Sequence, residues 1–406
     1  MKKIAVICAS PRKFNPGMFS VDLAFHYLMK RQGVETEINY FVLAYPSDRS
    51  FLSQLPFQYK LAQENLSEIY DSDAIVLWGD FLISQHYHAD LNKRLVKKKY
   101  AANHQDAQKI INECLLFSSA PLGVLEKCFV FGCSQLLDSN NALADQSYVK
   151  LSNNLIKSAQ GVWMRDIYSS LKVSRIRGDN IDACYGVDAS LLLATSKNIP
   201  EADEPPLAVH RSVGIFLKRT KISPTVSLQF ASDLCNRLGL DAEWIPWFHP
   251  STRQYHRSFK KHFSSITSMK SELEILPLLS SLKKYQLIIT DTYHLCLNAW
   301  NLGIPAICIT NGNELDSASL SDKKKEVFYL SNEAQDFLVN TDTLSLFKKN
   351  YTFQHPKEKR TKTLFLEKLA SSVTNDNLAK SVINNIQDHA LSVEKDFMAK
   401  LKVLIG

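Results

Sequence analysis

The sequence is marked first by what it lacks. None of its 406 residues fall in an apolar run approaching the ~18 to 20 residues that span a bilayer. The run 4–9, behind two lysines, is too short for a secretory leader, so a cytoplasmic location is expected. There is no C-x-x-C pair, which removes zinc-ribbon and thioredoxin-like readings. The loop after the first apolar run, 10–18, has neither G-x-G-x-x-G nor a Walker lysine, so dinucleotide and P-loop readings find no support. No internal repeat or low-complexity tract stands out. Positive charge is also sparse: a net +7 over this length falls well short of a nucleic-acid binder, and no nucleic-acid partner is expected.

What is present is an ordinary globular composition, 45% hydrophobic and 22% charged, long enough for two domains. The eight cysteines are scattered, several inside apolar strands where they act as small hydrophobes, which fits a reducing compartment. Apolar runs at 4–8, 36–42, 74–78, 128–132 and 163–164 alternate with helical patterns, as a parallel sheet covered by helices requires. The pattern breaks at 198–206, NIPEADEPP, where three prolines and three acidic residues mark a linker. It then restarts with strands at 213–217 and 242–246. The expected division is an N-terminal Rossmann-like domain over 1–198, a linker at 199–206, a second such domain over 207–343, and C-terminal helices over 344–406. Two Rossmann-like domains facing across a cleft make the GT-B type of α/β architecture.

The most informative segment is 285–311, YQLIITDTYHLCLNAWNLGIPAICITN. It predicts a buried strand at 287–290, a polar turn at Asp291, Thr292 and Tyr293, a helix opening at His294, and a second strand after Gly303-Ile304-Pro305. A polar cluster at the carboxyl end of a strand and the amino end of a helix is where open α/β sheets place ligands, because N–H groups and the helix dipole converge on an anion. His294 is therefore a candidate for chemistry on a negatively charged group. Asn15 and Gly17, beside Arg12 in the 10–18 loop, could present backbone N–H groups to a phosphate or a sugar hydroxyl. Gly79 and Asp80 end the third strand, and Asp80 is the candidate base for a sugar hydroxyl. Asp166 is a natural helix cap and Arg165 a partner for a nearby carboxylate. His86 and His88 read as histidines on a polar loop, and no metal is expected.

These pieces, in order, resemble the polysaccharide pyruvyl transferase family. The resemblance runs from Asn15 and Gly17, through Gly79-Asp80, Arg165, Asp166 and Ser169, the VDASLLL segment and VGIFLKRT, to Asp291, Thr292, Tyr293, His294, Gly303 and Pro305. It implies transfer of a pyruvyl group from phosphoenolpyruvate to a sugar of a cell-surface polysaccharide, forming a ketal and releasing phosphate, with no cofactor beyond the donor. It implies His294 as proton donor, Asp80 as base, and donor contacts from Lys218, Arg219, Asp291, Thr292 and Tyr293. Arg12 and Arg165 stand next in line as cations. The family form has an arginine where Thr292 stands, which shifts the cationic role to Lys218 and Arg219. Two alternatives stay open: a GT-B glycosyltransferase using a nucleotide sugar, and a non-catalytic glycan-binding relative. A sugar or lipid-linked glycan acceptor is the implied partner. The basic runs at 93–99, 257–270 and 357–362 read as solvated faces that also allow peripheral contact with an anionic membrane.

Overall fold

A computed structural model describes residues 1–9, 15–46, 52–136, 145–193, 212–218, 222–247, 253–263, 275–311, 320–348 and 356–406. The chain forms two compact units, Met1–Ser196 with His389–Gly406, and Lys197–Asp388. The linker expected at 199–206 lies outside the described residues, as do Arg12 and Arg219.

The first unit holds β1 (Lys3–Cys8), β2 (Glu37–Val42), β3 (Tyr59–Leu61), β4 (Ala74–Trp78), β5 (Cys128–Cys133) and β6 (Gly161–Met164). They form one parallel sheet in the order β3-β2-β1-β4-β5-β6. Side chains alternate across a strand, so each sheet face has its own core. Ala5, Ile7, Phe41, Ile75, Leu77 and Val130 are buried on one face. Trp78, Phe129, Phe131 and Trp163 point the other way and build an aromatic layer, with Trp78 stacked on Phe131 at 4.6 Å and Phe25 edge-on to Trp78 at 4.9 Å. Phe25 lies on the helix Pro16–Arg31, which starts one turn earlier than its apolar pattern because Pro16 is preset for the first helical position.

The same aromatic layer corrects the expected boundary at the carboxyl end. The sequence sets 344–406 apart as a helical segment, yet the last helix, Asp376–Ile405, changes unit at His389. Phe397 packs on Trp78, Phe131, Phe129 and Trp163, and the buried Glu394 binds Arg31 and Gln32. The indole of Trp163 donates to Asp396 at 2.9 Å.

The second unit holds β7 (Ser212–Phe216), β8 (Asp241–Trp244), β9 (Leu287–Thr290), β10 (Ala306–Thr310) and β11 (Leu338–Asn340), parallel in the order β11-β10-β9-β7-β8. β9, β10 and the helix Tyr293–Asn301 are buried throughout, as a strand pair in mid-sheet under a covering helix must be. Two short edge strands, β3 and β11, complete the sheets. All eight cysteines are buried and free. Among the described residues, no helix is long and apolar enough to cross a membrane.

Candidate functional site

In a doubly wound sheet the ligand crevice opens where the strand order reverses, because the two neighbouring strands there send their connections to opposite faces. In the first unit that point lies between β1 and β4. Leaving β4, the chain passes through Gly79 and Asp80, both left-handed, with φ of +79° and +53°. A Cβ on Gly79 would lie 2.5 Å from a methyl of Val21, so the turn is open only to glycine at its first position. The second left-handed residue, Asp80, is a strained position for an L side chain. Two bonds hold the turn: Gly79 N–H donates to Phe131 at 2.7 Å, and the Asp80 carbonyl accepts from Ser134 N–H at 2.9 Å.

Asp80 faces Arg165 at 3.5 Å, and the same guanidinium nitrogen binds Asp188 at 3.0 Å. The Arg165 side chain is 1% exposed and lies 4.4 Å over the Phe81 ring. Asp188 is committed further to the Ser190 N–H and hydroxyl. One buried cation thus serves two carboxylates, and Asp80, whose side chain is 14% exposed, is the one that reaches solvent. Asp166 caps its helix through Ser169 N–H at 2.8 Å and accepts from the Ser134 and Ser169 hydroxyls. Asn15 is the N-cap residue of the Pro16–Arg31 helix, with its carbonyl accepting from Met18 and Phe19 and no side-chain cap bond. Gly17 is buried one position inside the helix start and accepts from the Ser20 hydroxyl. The histidines correct their reading. Both lie in the helix Gln85–Lys97, and His88 is buried with Nε2 2.7 Å from the Leu82 carbonyl.

Behind this turn is a polar cluster that sequence reasoning missed. Asp22, on the Pro16–Arg31 helix, is 1% exposed and accepts from the Tyr59 hydroxyl at 2.5 Å. Burial raises its carboxyl from 3.8 to about 7, against the pull of hydrogen bonds from Tyr59 and Cys8, and the charge of Asp80 adds to the rise. Burial likewise pushes the Cys8 thiol and the Tyr40 and Tyr59 hydroxyls well up. Tyr40 stacks on Phe57 at 3.9 Å.

In the second unit the strand order reverses between β7 and β9. The cluster Lys218, Asp291, Thr292, Tyr293 and His294 gathers at those strand ends. Asp291 is fully buried, and both its carboxylate oxygens accept from the Lys218 N–H, at 3.0 and 2.8 Å. It therefore ties β7 to β9 across the switch point. Thr292 donates to Asp291 at 3.4 Å and makes no side-chain cap bond to the helix that follows. That helix begins at Tyr293, one residue before the predicted start, and has no acidic residue in its first turn. His294 is 7% exposed and packs on the Tyr293 ring at 5.2 Å.

A second buried cation stands at the end of β10. Lys325, on the helix Leu320–Ser331, is 1% exposed and donates to Asp322 at 2.9 Å and to the Ile309 carbonyl at 3.1 Å. Asn311 donates to the other Asp322 oxygen at 2.9 Å. Burial works against the Lys325 ammonium, but Cys308, Asp322 and Asp291 outweigh it and leave its affinity for the proton raised. In sequence, Lys325 looks like the last of three surface lysines. Asp322 three residues earlier was the available signal.

No family model matches the chain, and no curated protein matches it in sequence. Solved structures are similar along the whole chain. The UDP-GlcNAc 2-epimerase from Neisseria meningitidis bound to UDP-GlcNAc superposes with a TM-score of 0.54 at 10% identity, covering 99% of this chain and 100% of that one. Another UDP-N-acetylglucosamine 2-epimerase gives 0.53 at 8% identity, covering 99% and 97%. The UDP-GlcNAc 2-epimerase from Methanocaldococcus jannaschii gives 0.50 at 11% identity, covering 98% and 99%. The likeness shows the fold: two Rossmann-like α/β units of GT-B type.

Proposed function

We propose that this chain is a GT-B type enzyme of surface-glycan synthesis that acts on a nucleotide sugar, with the diphosphate held at the strand ends of the second unit. The observation that carries the reading is the electrostatic build of that edge. Asp291 and Asp322 are sealed and committed to a backbone N–H and to Lys325. With both carboxylates so committed, we assign the diphosphate to the start of the Tyr293–Asn301 helix, where Thr292 makes no side-chain cap bond and the helix dipole favours an anion, with His294 beside it. The similar Neisseria enzyme is bound to UDP-GlcNAc, which supports the same class of donor here. In this scheme first-turn N–H groups stabilise charge on the departing diphosphate, and His294 can supply a proton to it. Asp80, oriented by Arg165, accepts the proton of a sugar hydroxyl in the first unit.

Pyruvyl transfer from phosphoenolpyruvate is the second reading. It is supported by the D-T-x-H pattern of Asp291 to His294, which runs from the turn after β9 into the first two residues of its helix, with Gly303 and Pro305 leading into β10. It requires cations for both a carboxylate and a phosphate. Thr292, in the family arginine's place, is turned to Asp291.

Calorimetry and thermal shift with UDP-GlcNAc, other uridine and cytidine sugars, and phosphoenolpyruvate separate the two. A nucleotide sugar at 100 times its Kd should stabilise the protein by about 2.7 kcal/mol. His294→Gln should keep that binding and lose turnover. A response to phosphoenolpyruvate alone moves the assignment to the second reading, and silence toward every ligand rejects both.

A further inference from the structure

The polar cluster behind the Gly79–Asp80 turn has no part in the proposed chemistry, yet it is built against the turn that presents Asp80. The Trp78 indole, at the end of β4, donates to the Val21 carbonyl at 2.7 Å, and a Val21 methyl fills the space over Gly79. Asp22 follows Val21 on the Pro16–Arg31 helix and is 1% exposed. Its carboxyl accepts from the Tyr59 hydroxyl at 2.5 Å and from the Cys8 thiol. The groups that face it are Cys8 from β1, Tyr40 from β2, Tyr59 from β3 and Asp80 from the turn after β4, and none of these is a cation. The turn Ala189–Leu192, also packed on that helix, carries no titratable group. Tyr40 is 2% exposed, and its hydroxyl has no hydrogen-bond partner among the described residues. A cluster kept for stability alone would satisfy that hydroxyl.

Two carboxyl groups thus act on each other at the switch point of the first sheet, and their surroundings differ. Asp80 has the Arg165 guanidinium, whereas Asp22 has only neutral donors in a dry site and keeps its proton to about pH 7. We infer that Asp22 is a positioning residue for the candidate base, a buried carboxyl whose charge state governs how readily Asp80 takes the proton of a sugar hydroxyl. The inference rests on the nucleotide-sugar reading, in which Asp80 is that base, and deepens it. The coupling is reciprocal: the charge of Asp80 holds the proton on Asp22, so a charge on Asp22 must strengthen Asp80 as a base by the same factor. Asp22 is neutral below about pH 7 and ionises as pH rises through it, so Asp80 becomes the better base on the alkaline side. A proton arriving on Asp80 in turn lets Asp22 release its own.

The test is a pH titration of the full chain by carbon NMR, isotopically labelled at the aspartate side-chain carboxyls. The signals of Asp22 and Asp80 are assigned by their loss in Asp22→Asn and Asp80→Asn. In the wild type the Asp22 signal should titrate near pH 7, and the Asp80 signal should move with it. Asp80→Asn should lower the Asp22 midpoint by about 0.3 pH unit or more, a twofold change in acid strength. Asparagine tolerates the left-handed backbone at that position, so the turn survives the exchange. Tyr59→Phe should move the midpoint the opposite way, because it removes a donor that favours the charged form. Should Asp22→Asn fold poorly, the Asp22 signal is assigned with Asp22→Glu and the Asp80→Asn shift decides. An Asp22 midpoint in the ordinary carboxylate range, one unmoved by Asp80→Asn, or one moved the same way by both variants overturns the coupling and leaves the donor reading standing. A coupling found in a protein that binds no nucleotide sugar overturns that reading and the role it gives to Asp80, while the carboxyl pair remains.

Discussion

Both units place one buried cation against two carboxylates at the carboxyl ends of their strands, and they differ in what they leave open. In the first unit Arg165 serves Asp188 and Asp80, and Asp80 reaches solvent from a left-handed turn. In the second, Lys325 serves Asp322 and faces Asp291, and both carboxylates are sealed. A guanidinium with its planar fork can hold two acids and still show one of them to a substrate. An ammonium is a compact point charge, and here it is spent entirely inside. The same device thus yields an exposed base on one sheet and a neutralised floor for an anion on the other.

The largest test of that contrast is loss of the cations. Removing one partner of a buried ion pair costs about 3 to 5 kcal/mol. Lys325→Met should reach that range, because Asp322 and Asp291 have no water to turn to. Arg165→Met should cost less, since Asp80 can rehydrate. Denaturant unfolding reads both, with Trp78 and Trp163 reporting the first unit and Trp244, Trp247 and Trp300 the second. An equal or larger loss for Arg165→Met breaks the comparison.

The next effect is confined to the first unit. Asp22 holds its proton to about pH 7 when folded and to about 3.8 when unfolded. The folded state therefore binds more protons between those values, so its favourable contribution is complete below pH 3.8 and is lost as pH rises through 7. The shift corresponds to a stability change on the order of 4 kcal/mol. Asp22→Asn should flatten the decline between pH 4 and 8 in the first unit's transition and leave the second unit's unchanged. Parallel pH profiles for variant and wild type would remove Asp22 from the account.

A smaller pair sharpens the comparison at the backbone. Gly79 and Gly303 share a φ of +79°, but the space around them differs. At Gly303 a Cβ meets nothing within 4 Å, whereas at Gly79 it meets Val21 at 2.5 Å. Gly303→Ala should cost about 1 kcal/mol for the left-handed backbone alone. Gly79→Ala should add a steric term of about 1 to 3 kcal/mol, by analogy with overpacking in a core. Thermal melts that rank the two equally would mean the Gly79 turn yields easily.

Much of this architecture is legible in the amino-acid order. β4 and β9 stand where their apolar runs place them, and Asp166 caps the helix that its position announces. These features are local, so a short window contains their cause. β3 and β11 escape notice because three residues are too few to show a period. The candidate site divides the same way. Asp80, Asp291 and His294 are visible as strand-end polar residues. Asp22 and Lys325 are not, because the partners that make them unusual are Tyr59, Cys8, Ile309 and Asp291, brought near only by the fold.

The last helix has a consequence for the order of assembly. The aromatic layer of the first unit is closed by Phe397, and Arg31 finds its carboxylate in Glu394, 363 positions later. A chain emerging from the ribosome can complete every strand of the first sheet and still lack the residue that fills its face. The second unit, Lys197–Asp388, is contiguous and can close as soon as it emerges. Domains usually fold from the amino terminus as they are made. Here the half translated first is the half that must wait, its tryptophans uncovered until residues 389–406 arrive.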